Sequence, residues 1–326
     1  MPDDSLEARL ELFKRVRDRL VAEVGRLIIG QRAVIDQMLA TIFVRGHSLL
    51  VGVPGLAKTM MVRGLAGAMD LEFKRIQFTP DLMPADITGT DVIDQAPDGR
   101  RERRFLQGPV FANILLADEV NRATPRTQSA LLEGMGERQV TVDGITYPLQ
   151  RPFLVLATEN PIEFEGTFPL PEAQLDRFFL KLSVGYPDTR QEALMLRNLQ
   201  RQHPIERIEQ VVDGMSLPEL ARQVWEIHVD DSVVDYIVGM VQATRQHPDL
   251  TLGASPRGSL ALFKGAQALA AIRGRDFVKP DDVKELARPA LSHRLIVKPE
   301  SALRGRTAAQ VLDEVLSATT VEIGEV

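Results

Sequence analysis

The apolar residues of this chain follow two kinds of spacing, and the change between them divides the chain in two. Up to residue 186, short apolar runs typical of buried strands alternate with patterns in which apolar residues recur every three or four positions. Beyond Pro187 only these helical patterns remain. Strands that alternate with helices predict an α/β domain with a doubly wound parallel sheet over residues 1–186, and the rest predicts an all-helical domain over residues 187–326.

The individual elements follow from the same spacing. An amphipathic first helix is predicted over residues 5–24, and we expect its apolar stripe to pack on the α/β domain. Trp225 and the methionines of the helical domain are expected in a core. Strands are predicted from residue 49 and at 73–78, 113–119 and 153–158, and helices at 34–42, 60–69, 127–135, 191–200, 217–225, 232–245, 259–272, 281–291 and 308–316.

Two hairpins are predicted outside this regular alternation. Residues 79–107 form a long stretch rich in Asp, Pro and Gly, in which a Pro-Asp-Gly turn at 97–99 separates two short strands. Asp143-Gly144 marks a second hairpin, over 139–149. Four arginines, at positions 100, 101, 103 and 104, form either a solvated face or a surface that binds a partner or lines a pore.

Composition narrows the class of protein. The 326 residues include 39 basic and 45 acidic side chains, a formal charge of −6, so there is no general basic field for nucleic acid, although a local basic face stays open. There are no cysteines, and the five histidines lack the spacing of a metal site. The polar amino terminus and the lack of a long apolar run lead us to expect a cytoplasmic protein without membrane insertion.

The segment GVPGLAKT, residues 52–59, follows the first predicted strand and resembles a phosphate-binding P-loop. Gly52, Gly55, Lys58 and Thr59 match that pattern, in which backbone N–H groups and the lysine hold phosphates. Ala57 stands where the pattern has its last glycine, and we expect its φ to be negative, already helical, while Gly55 makes the tight turn. The alternative is an ordinary Gly/Pro turn between a strand and a helix.

Residues farther along supply what ATP hydrolysis requires. Asp118 ends a buried apolar strand and can hold Mg²⁺ together with Thr59, and its neighbour Glu119 can polarise the attacking water. Asn160, at the end of the next strand, can contact that water or the γ-phosphate. The segment 27–31, which precedes the P-loop strand, either lines an adenine pocket or is only a loop that leads into a helix.

Arg177 and Arg257 are the candidate cations for the transferring phosphoryl group. Arg177 lies just before the domain boundary, and Arg257 lies at the start of a predicted helix in the second domain. Taken one at a time, each would be interpreted as a surface ion pair.

The motifs together resemble those of AAA+ ATPases of the MoxR family, over essentially the whole chain. They are GVPGLAKT (52–59), LLADE (115–119) continuing as VNRATPRTQSALLEGMGERQVT (120–141), ATENP (157–161), LPEAQLDRF (170–178) and GASPRG (253–258). An alanine before the P-loop lysine also occurs in that family.

The resemblance implies roles for these residues. It makes Lys58 and Thr59 the Walker A residues, Asp118 and Glu119 the Walker B residues, and Asn160 sensor 1. It implies that Arg177 is an arginine finger that reaches the neighbouring subunit's site, and that Arg257 is sensor 2, which reports nucleotide to the helical lid. The cofactors implied are ATP and Mg²⁺, with Mg²⁺ held by Thr59 and, through a water, by Asp118. The implied ATP contacts are Ile29, Gly30, Gly52, Pro54, Gly55, Leu56, Ala57, Lys58, Thr59, Met60 and Asp118.

The resemblance also implies an assembly and a task. Family members form rings, expected here to be hexameric, and act like chaperones that remodel or mature partner proteins, often with a partner that carries a von Willebrand factor A domain. Segments 79–107 and 139–149 match the helix-2 insert and the pre-sensor-1 hairpin. Two alternatives remain, a motor that remodels DNA and a regulatory scaffold that binds ATP but scarcely hydrolyses it. Neither the client nor the partner can be identified from the sequence.

Overall fold

A five-stranded parallel sheet forms the centre of the N-terminal domain. The computed structural model describes residues 6–53, 55–95, 101–160, 166–199, 208–212 and 217–320. The strand order is β2-β5-β8-β1-β9, with helices on both sides, so the predicted doubly wound α/β fold is confirmed. One strand of this sheet was not predicted, namely β9 (Leu180–Ser183), because it is short and only two of its four side chains are apolar.

The bounds of the elements are as follows. The strands are β1 Ser48–Val51, β2 Phe73–Gln77, β3 Gly89–Gln95, β4 Arg101–Gln107, β5 Ile114–Asp118, β6 Gln139–Val142, β7 Ile145–Pro148, β8 Leu154–Glu159, β9 Leu180–Ser183, β10 Leu250–Leu252 and β11 Ile296–Val297. The helices are α1 Leu6–Gly25, α2 Arg32–Val44, α3 Lys58–Ala68, α4 Pro84–Thr88, α5 Pro125–Glu137, α6 Glu172–Leu175, α7 Thr189–Leu199, α8 Leu217–Val224, α9 Asp231–Gln246, α10 Pro256–Ile272, α11 Pro280–Leu291, α12 Pro299–Leu303 and α13 Ala308–Ala318.

The central strands are apolar at every position because both faces of the sheet are covered. In β5, Ile114 and Leu116 belong to one buried cluster, whereas Leu115 and Ala117 belong to the cluster on the other face. Successive side chains of a strand point to opposite faces, so a continuous apolar run is what a sheet buried on both sides requires. Since β5, β8, β1 and β9 are parallel neighbours, their carboxyl ends lie along one edge.

Helix α1 covers the domain as predicted. Phe13 of α1 is buried and packs edge-on against Phe43 of α2, with ring centroids 5.2 Å apart. The helix also reaches the C-terminal helices, because Arg9 forms a salt bridge with Glu226 at 2.8 Å. No described helix is long and apolar enough to span a membrane.

The two predicted hairpins, β3–β4 and β6–β7, lie against each other. Phe105 of β4 stacks on Tyr147 of β7 at a centroid distance of 4.0 Å. Arg103 bridges them, since it pairs with Asp91 of β3 and, at 3.3 Å, with Asp143 of the second hairpin. The 97–99 turn and residue 100 lie outside the described residues.

The C-terminal region is helical as predicted, with one addition. Strands β10 and β11 pair as a short antiparallel ribbon that the sequence did not predict. Trp225 is a wrong prediction, because it is 51% exposed and lies under the ammonium group of Lys264. Helix α8 buries Leu217, Leu220, Ala221 and Val224, and Trp225 follows its last residue, outside that stripe.

Candidate functional site

The P-loop joins β1 to α3 at the carboxyl edge of the sheet. Gly52 packs closely on the end of β9, where a Cβ atom would lie only 2.7 Å from the carbonyl oxygen of Val184. Gly55 has a φ of +86°, which glycine adopts without strain. The Lys58 ammonium folds back onto the loop and donates to the carbonyl of Gly52 at 2.5 Å. Pro54 lies outside the described residues.

The expected backbone at Ala57 is wrong. Its φ is +55° and its ψ is 23°, so it is left-handed at the position just before α3. For an L-residue this conformation costs roughly 1–2 kcal/mol, which explains why the general P-loop pattern has glycine there. The loop therefore takes two left-handed residues, Gly55 and Ala57, and the second is strained.

A cavity of about 250 Å³ adjoins the P-loop. Ile29 and its neighbours line one side, Leu56 and Ala57 line another, and Tyr186 and Met195 help to close it. Because an apolar cleft beside a P-loop fits a nucleotide base, the adenine-pocket interpretation of segment 27–31 is favoured over that of a plain loop.

Gly30 and Met60, two other predicted ATP contacts, do not line this cavity. Gly30 adjoins the cavity in sequence with a φ of +89°, although it is not among the lining residues. Met60 packs against the core in the first turn of α3, and its contact with ATP stays a prediction.

One threonine contacts both of the predicted Walker B residues, Asp118 through its carboxylate and Glu119 through its backbone. Thr158 of β8 donates to Asp118 Oδ1 at 2.5 Å and accepts the backbone N–H of Glu119 at 2.9 Å. Glu119 itself is left-handed, with a φ of +56°, so the chain turns sharply just after β5. The strained backbone of Glu119 and the hydrogen bond from its N–H to Thr158 therefore set the direction of its carboxylate apart from that of Asp118.

Strand β2 supplies two partners that sequence reasoning missed. Arg75 donates from Nε and Nη2 to Asp118 Oδ2 at 3.0 and 2.6 Å, and Gln77 donates to Glu119 Oε2 at 2.9 Å. Both side chains lie on one face of β2, two residues apart, beside the end of β5. The sequence shows that Arg75 and Gln77 are two residues apart on a strand, but it does not show that β2 pairs with β5.

The P-loop lysine lies within the electrostatic field of these acids. Burial lowers the pKa of Lys58 below its ordinary value, and the negative charges of Asp118 and Glu119 offset part of that change. The P-loop lysine and the two acids after β5 are thus close enough to interact. The hydroxyl of Thr59 and the carboxylate of Asp118 are oxygen donors of the kind that suits Mg²⁺.

Asn160 follows β8 at the same edge of the sheet. Asn160 is 6% exposed, and β8 lies between β5 and β1, so Asn160 lies between the β5 acids, Asp118 and Glu119, and the P-loop strand. Glu159 precedes it, and burial raises the pKa of that carboxyl above its ordinary value. This placement agrees with the predicted position of Asn160.

Arg177 lies at the other edge of the sheet. It precedes β9, and the nearby Phe179 donates its N–H to the carbonyl of His47, just before β1 begins. The P-loop follows the end of β1, so the two positions are separated by about one strand length, some 13 Å at 3.3 Å per residue. The guanidinium of Arg177 donates to the carbonyl of Leu132 in α5 at 2.5 Å.

Arg257 does not line the cavity beside the P-loop either. Its side chain is 61% exposed, and its Nε lies 4.0 Å from Asp176, the residue before Arg177. The structure therefore places Arg257 beside the residue that precedes Arg177, while the guanidinium of Arg177 itself points to α5. The expectation that Arg257 senses nucleotide and reports it to the lid stays a prediction.

One cluster of metal-binding side chain types lies elsewhere. His247, Asp249 and Glu314 place ligand atoms within 4.8 Å of one another. Arg306, however, donates to both carboxylates, at 3.0 Å to Asp249 and 2.7 Å to Glu314. Both acids of the cluster are therefore engaged in ion pairs with Arg306, and the expectation that the histidines form no metal site stays a prediction.

Comparison with known proteins identifies the two regions of the chain. Residues 47–180 match the ATPase family associated with various cellular activities (AAA), and residues 242–315 match the AAA lid domain. A solved structure, a putative ATPase from Cytophaga hutchinsonii, has a TM-score of 0.90 at 40% identity and covers 97% of this chain and 98% of its own.

Relatives of known sequence span nearly the whole chain. The chaperone MoxR1 of Mycobacterium tuberculosis is 43% identical over 93% of this chain and 82% of its own length. The uncharacterized protein YeaC of Bacillus subtilis is 48% identical over 94% of both. The protein MoxR of Paracoccus denitrificans is 31% identical over 94% of this chain and 95% of its own. With its P-loop, its paired acids and these relatives, the chain belongs to the MoxR family of AAA ATPases.

Proposed function

We propose that this ATPase works as a ring of identical subunits, a hexamer, in which each ATP site is completed by Arg177 of the next subunit. Hydrolysis in this ring remodels or matures partner proteins, one of which carries a von Willebrand factor A domain, and the setting is the cytoplasm. Names of relatives support the task, since one of them is called a chaperone.

The position of Arg177 is the observation that carries the proposal. ATP hydrolysis needs a cation aimed at the transferring phosphoryl group, and such a finger contributes about 10³ to 10⁵ in rate. Arg177 and Arg257 are both exposed, and Arg257 lies beside Asp176, the residue before Arg177. Arg177 precedes the amino end of β9, whereas the P-loop is at its carboxyl end. A head-to-tail ring would bring this edge of one subunit against the phosphate edge of the next. Arg257 would then act beside Arg177, in the neighbour's site.

Within its own subunit the chain binds the nucleotide and prepares the water. Backbone N–H groups of the P-loop and the ammonium of Lys58 hold the phosphates, after Lys58 leaves the carbonyl of Gly52. Glu119 takes the position of the base that polarises the attacking water, and Gln77 holds its carboxylate until ATP is bound. Asn160 orients the water or the γ-phosphate.

Thr59 and Asp118 would hold Mg²⁺, with Asp118 acting through a water. The ion would neutralise the negative charge that develops on the phosphate oxygens. In the structure the Asp118 carboxylate is engaged by Arg75 and Thr158, so a cation and Arg75 would compete for it.

The hairpins are the proposed contact with a partner. Ile93 on β3 is 74% exposed, and Leu106 and Ile145 on the neighbouring strands are also exposed. Arg103 and Arg104 are paired with aspartates, which offsets the positive charge of these two arginines and supports a protein partner over the DNA alternative. A pull-down with Glu119→Gln protein in ATP would trap the client, whereas steep, salt-dependent binding of DNA would reverse this ranking.

Mixing two inactive variants tests the shared site. Glu119→Gln subunits keep their arginine finger but cannot turn over ATP, and Arg177→Ala subunits keep their base but lack the finger. In rings assembled at random from equal amounts, about a quarter of the interfaces (one half times one half) join an intact Glu119 to an intact Arg177. We expect the mixture to recover about that share of wild-type turnover. A mixture no more active than either variant alone overturns the proposal.

A further inference from the structure

The segment that carries the arginine finger is held by a buried arginine of the C-terminal helical region. Arg294, in the turn that follows α11, has a side chain only 3% exposed. Its Nε donates to Asp176 Oδ1 at 2.9 Å, and its Nη2 donates to the carbonyls of Asp176 and Phe178 at 3.2 and 2.6 Å. One side chain thus grips both the carboxylate before Arg177 and the backbone on either side of it.

The same carboxylate receives a second set of contacts from the helical region. Ser255, the residue that caps α10, donates its hydroxyl to Asp176 Oδ1 and Oδ2 at 3.1 and 3.0 Å. Arg257, in the first turn of that helix, approaches Asp176 Oδ2 at 4.0 Å. Asp176 is therefore contacted both from the start of α10, by Ser255, and from the turn after α11, by Arg294.

These contacts exceed what a surface ion pair requires. A guanidinium buried to this degree is stable only when it is paired and its donors are satisfied, and both conditions are met by the 176–179 segment and α11. A cavity of about 630 Å³ lies beside the junction, lined by Asp176, Ser255 and Arg294 among others. Hydrogen bonds from the helical region thus hold residues 176–179 beside an open cavity. A shift of the helical region would move these residues with it.

We infer that Arg294 and Asp176 form a clamp that positions Arg177, so that the C-terminal helical region of one subunit sets the catalytic competence of the site in the next. This inference rests on the proposed sharing of sites. Arg294 touches no nucleotide in this arrangement, and it is a positioning residue that acts through Asp176 on the finger.

The test uses Arg294→Lys, which keeps the charge but loses the fork that grips Asp176 and two carbonyls at once. We expect turnover to fall by about tenfold to a hundredfold, the effect of displacing a catalytic group by about 1 Å. Because its own P-loop is intact, the variant should bind a fluorescent ATP analogue with a Kd within about twofold of wild type, with KM unchanged and kcat reduced. Asp176→Asn should behave in the same way, and serves if the lysine variant does not fold.

The decisive readout is rescue in mixed rings. Arg294→Lys mixed with Glu119→Gln should recover about a quarter of wild-type turnover, because the lysine subunits keep a good base and receive a good finger from their neighbours. Arg275→Lys is the matched control, since it disturbs another arginine fork of the helical region, on the buried Asp282, and should leave turnover near wild type.

Three results would overturn the inference. If Arg177→Ala is rescued by Glu119→Gln but Arg294→Lys is not, Arg294 acts within its own subunit and the proposed shared site stands. If neither mixture recovers, the shared site fails and the clamp fails with it. If Arg294→Lys and Asp176→Asn turn over at the wild-type rate, the finger needs no clamp.

Discussion

A single residue, Ala57, separates this P-loop from the general pattern, which has glycine at that position. Ala57 is left-handed at φ +55°, where glycine would be unstrained. We expect Ala57→Gly to keep nucleotide binding and to raise the free energy of unfolding by up to about 1 kcal/mol, the strain relieved less the extra entropy of glycine in the unfolded chain.

Chemical denaturation of the nucleotide-free protein measures this difference. Ala66→Gly is the matched control, because Ala66 lies within α3 and its replacement should lower the free energy of unfolding by about 1 kcal/mol or more. A loss of stability in Ala57→Gly equal to that of the control would show that residue 57 carries no strain.

A second residue, Arg75, holds the carboxylate that the proposed Mg²⁺ needs. The pair is partly exposed, so its contribution is at most about 1 kcal/mol, or about fivefold in affinity. We expect Arg75→Ala to lower the Mg²⁺ concentration at half-maximal binding of a fluorescent ATP analogue by up to that factor. Lys74→Ala, on the same strand, should leave it unchanged. A higher Mg²⁺ requirement in Arg75→Ala would mean that Arg75 assists the ion.

At the scale of elements, His47 ties three of them together. Its Nδ1 accepts the N–H of Val155 in β8 at 2.9 Å, and its Nε2 lies 3.1 Å from the carbonyl of Met135 in α5, while His47 itself precedes β1. Burial lowers the pKa of His47 to about 4, so the folded protein keeps it neutral. The unfolded chain takes up a proton near its ordinary pKa of about 6.5.

The sign of the pH dependence follows. Below pH 6.5 the unfolded state binds the proton first, so the stability that neutral His47 contributes is complete above pH 6.5 and is lost as the pH falls toward 4. Between pH 7.5 and 5, wild type should lose about 2 kcal/mol more than His47→Gln in urea denaturation. His228→Gln, at an exposed position, should keep the wild-type slope. Equal slopes for His47→Gln and wild type would contradict this.

At the scale of the whole molecule, the sequence predicted those features that follow from a single local pattern of apolar and polar residues. The continuous apolar run of β5 predicted a strand buried on both faces, and the residues after β5 and β8 predicted the edge where the site lies. The short strand β9 was not predicted because Lys181 and Ser183 interrupt its apolar side chains. The conformation of Ala57 was predicted wrongly because the geometry of the loop, and not the residue type, sets the backbone angles at position 57.

Contacts between distant elements could not be predicted at all. Arg75 reaches Asp118 only because β2 and β5 are neighbours in the sheet, and Arg294 reaches Asp176 only because α11 ends beside α6. A single sequence contains the side chains of such pairs but not the order of the elements that present them. The same limit applies to Arg177, whose place at the opposite end of β9 from the P-loop could not be predicted from the sequence.

Turnover per subunit, measured over a range of protein concentrations with the mass determined in the same samples, tests the shared site most directly. The monomer has a mass of 36.2 kDa, and six copies give about 217 kDa (6 × 36.2). In the proposed ring each site requires an arginine from a neighbour, so turnover per subunit should rise in step with the fraction assembled and be at least about a thousandfold lower in the monomer. A sample that is monomeric and hydrolyses ATP at the full rate per subunit would contradict the shared site.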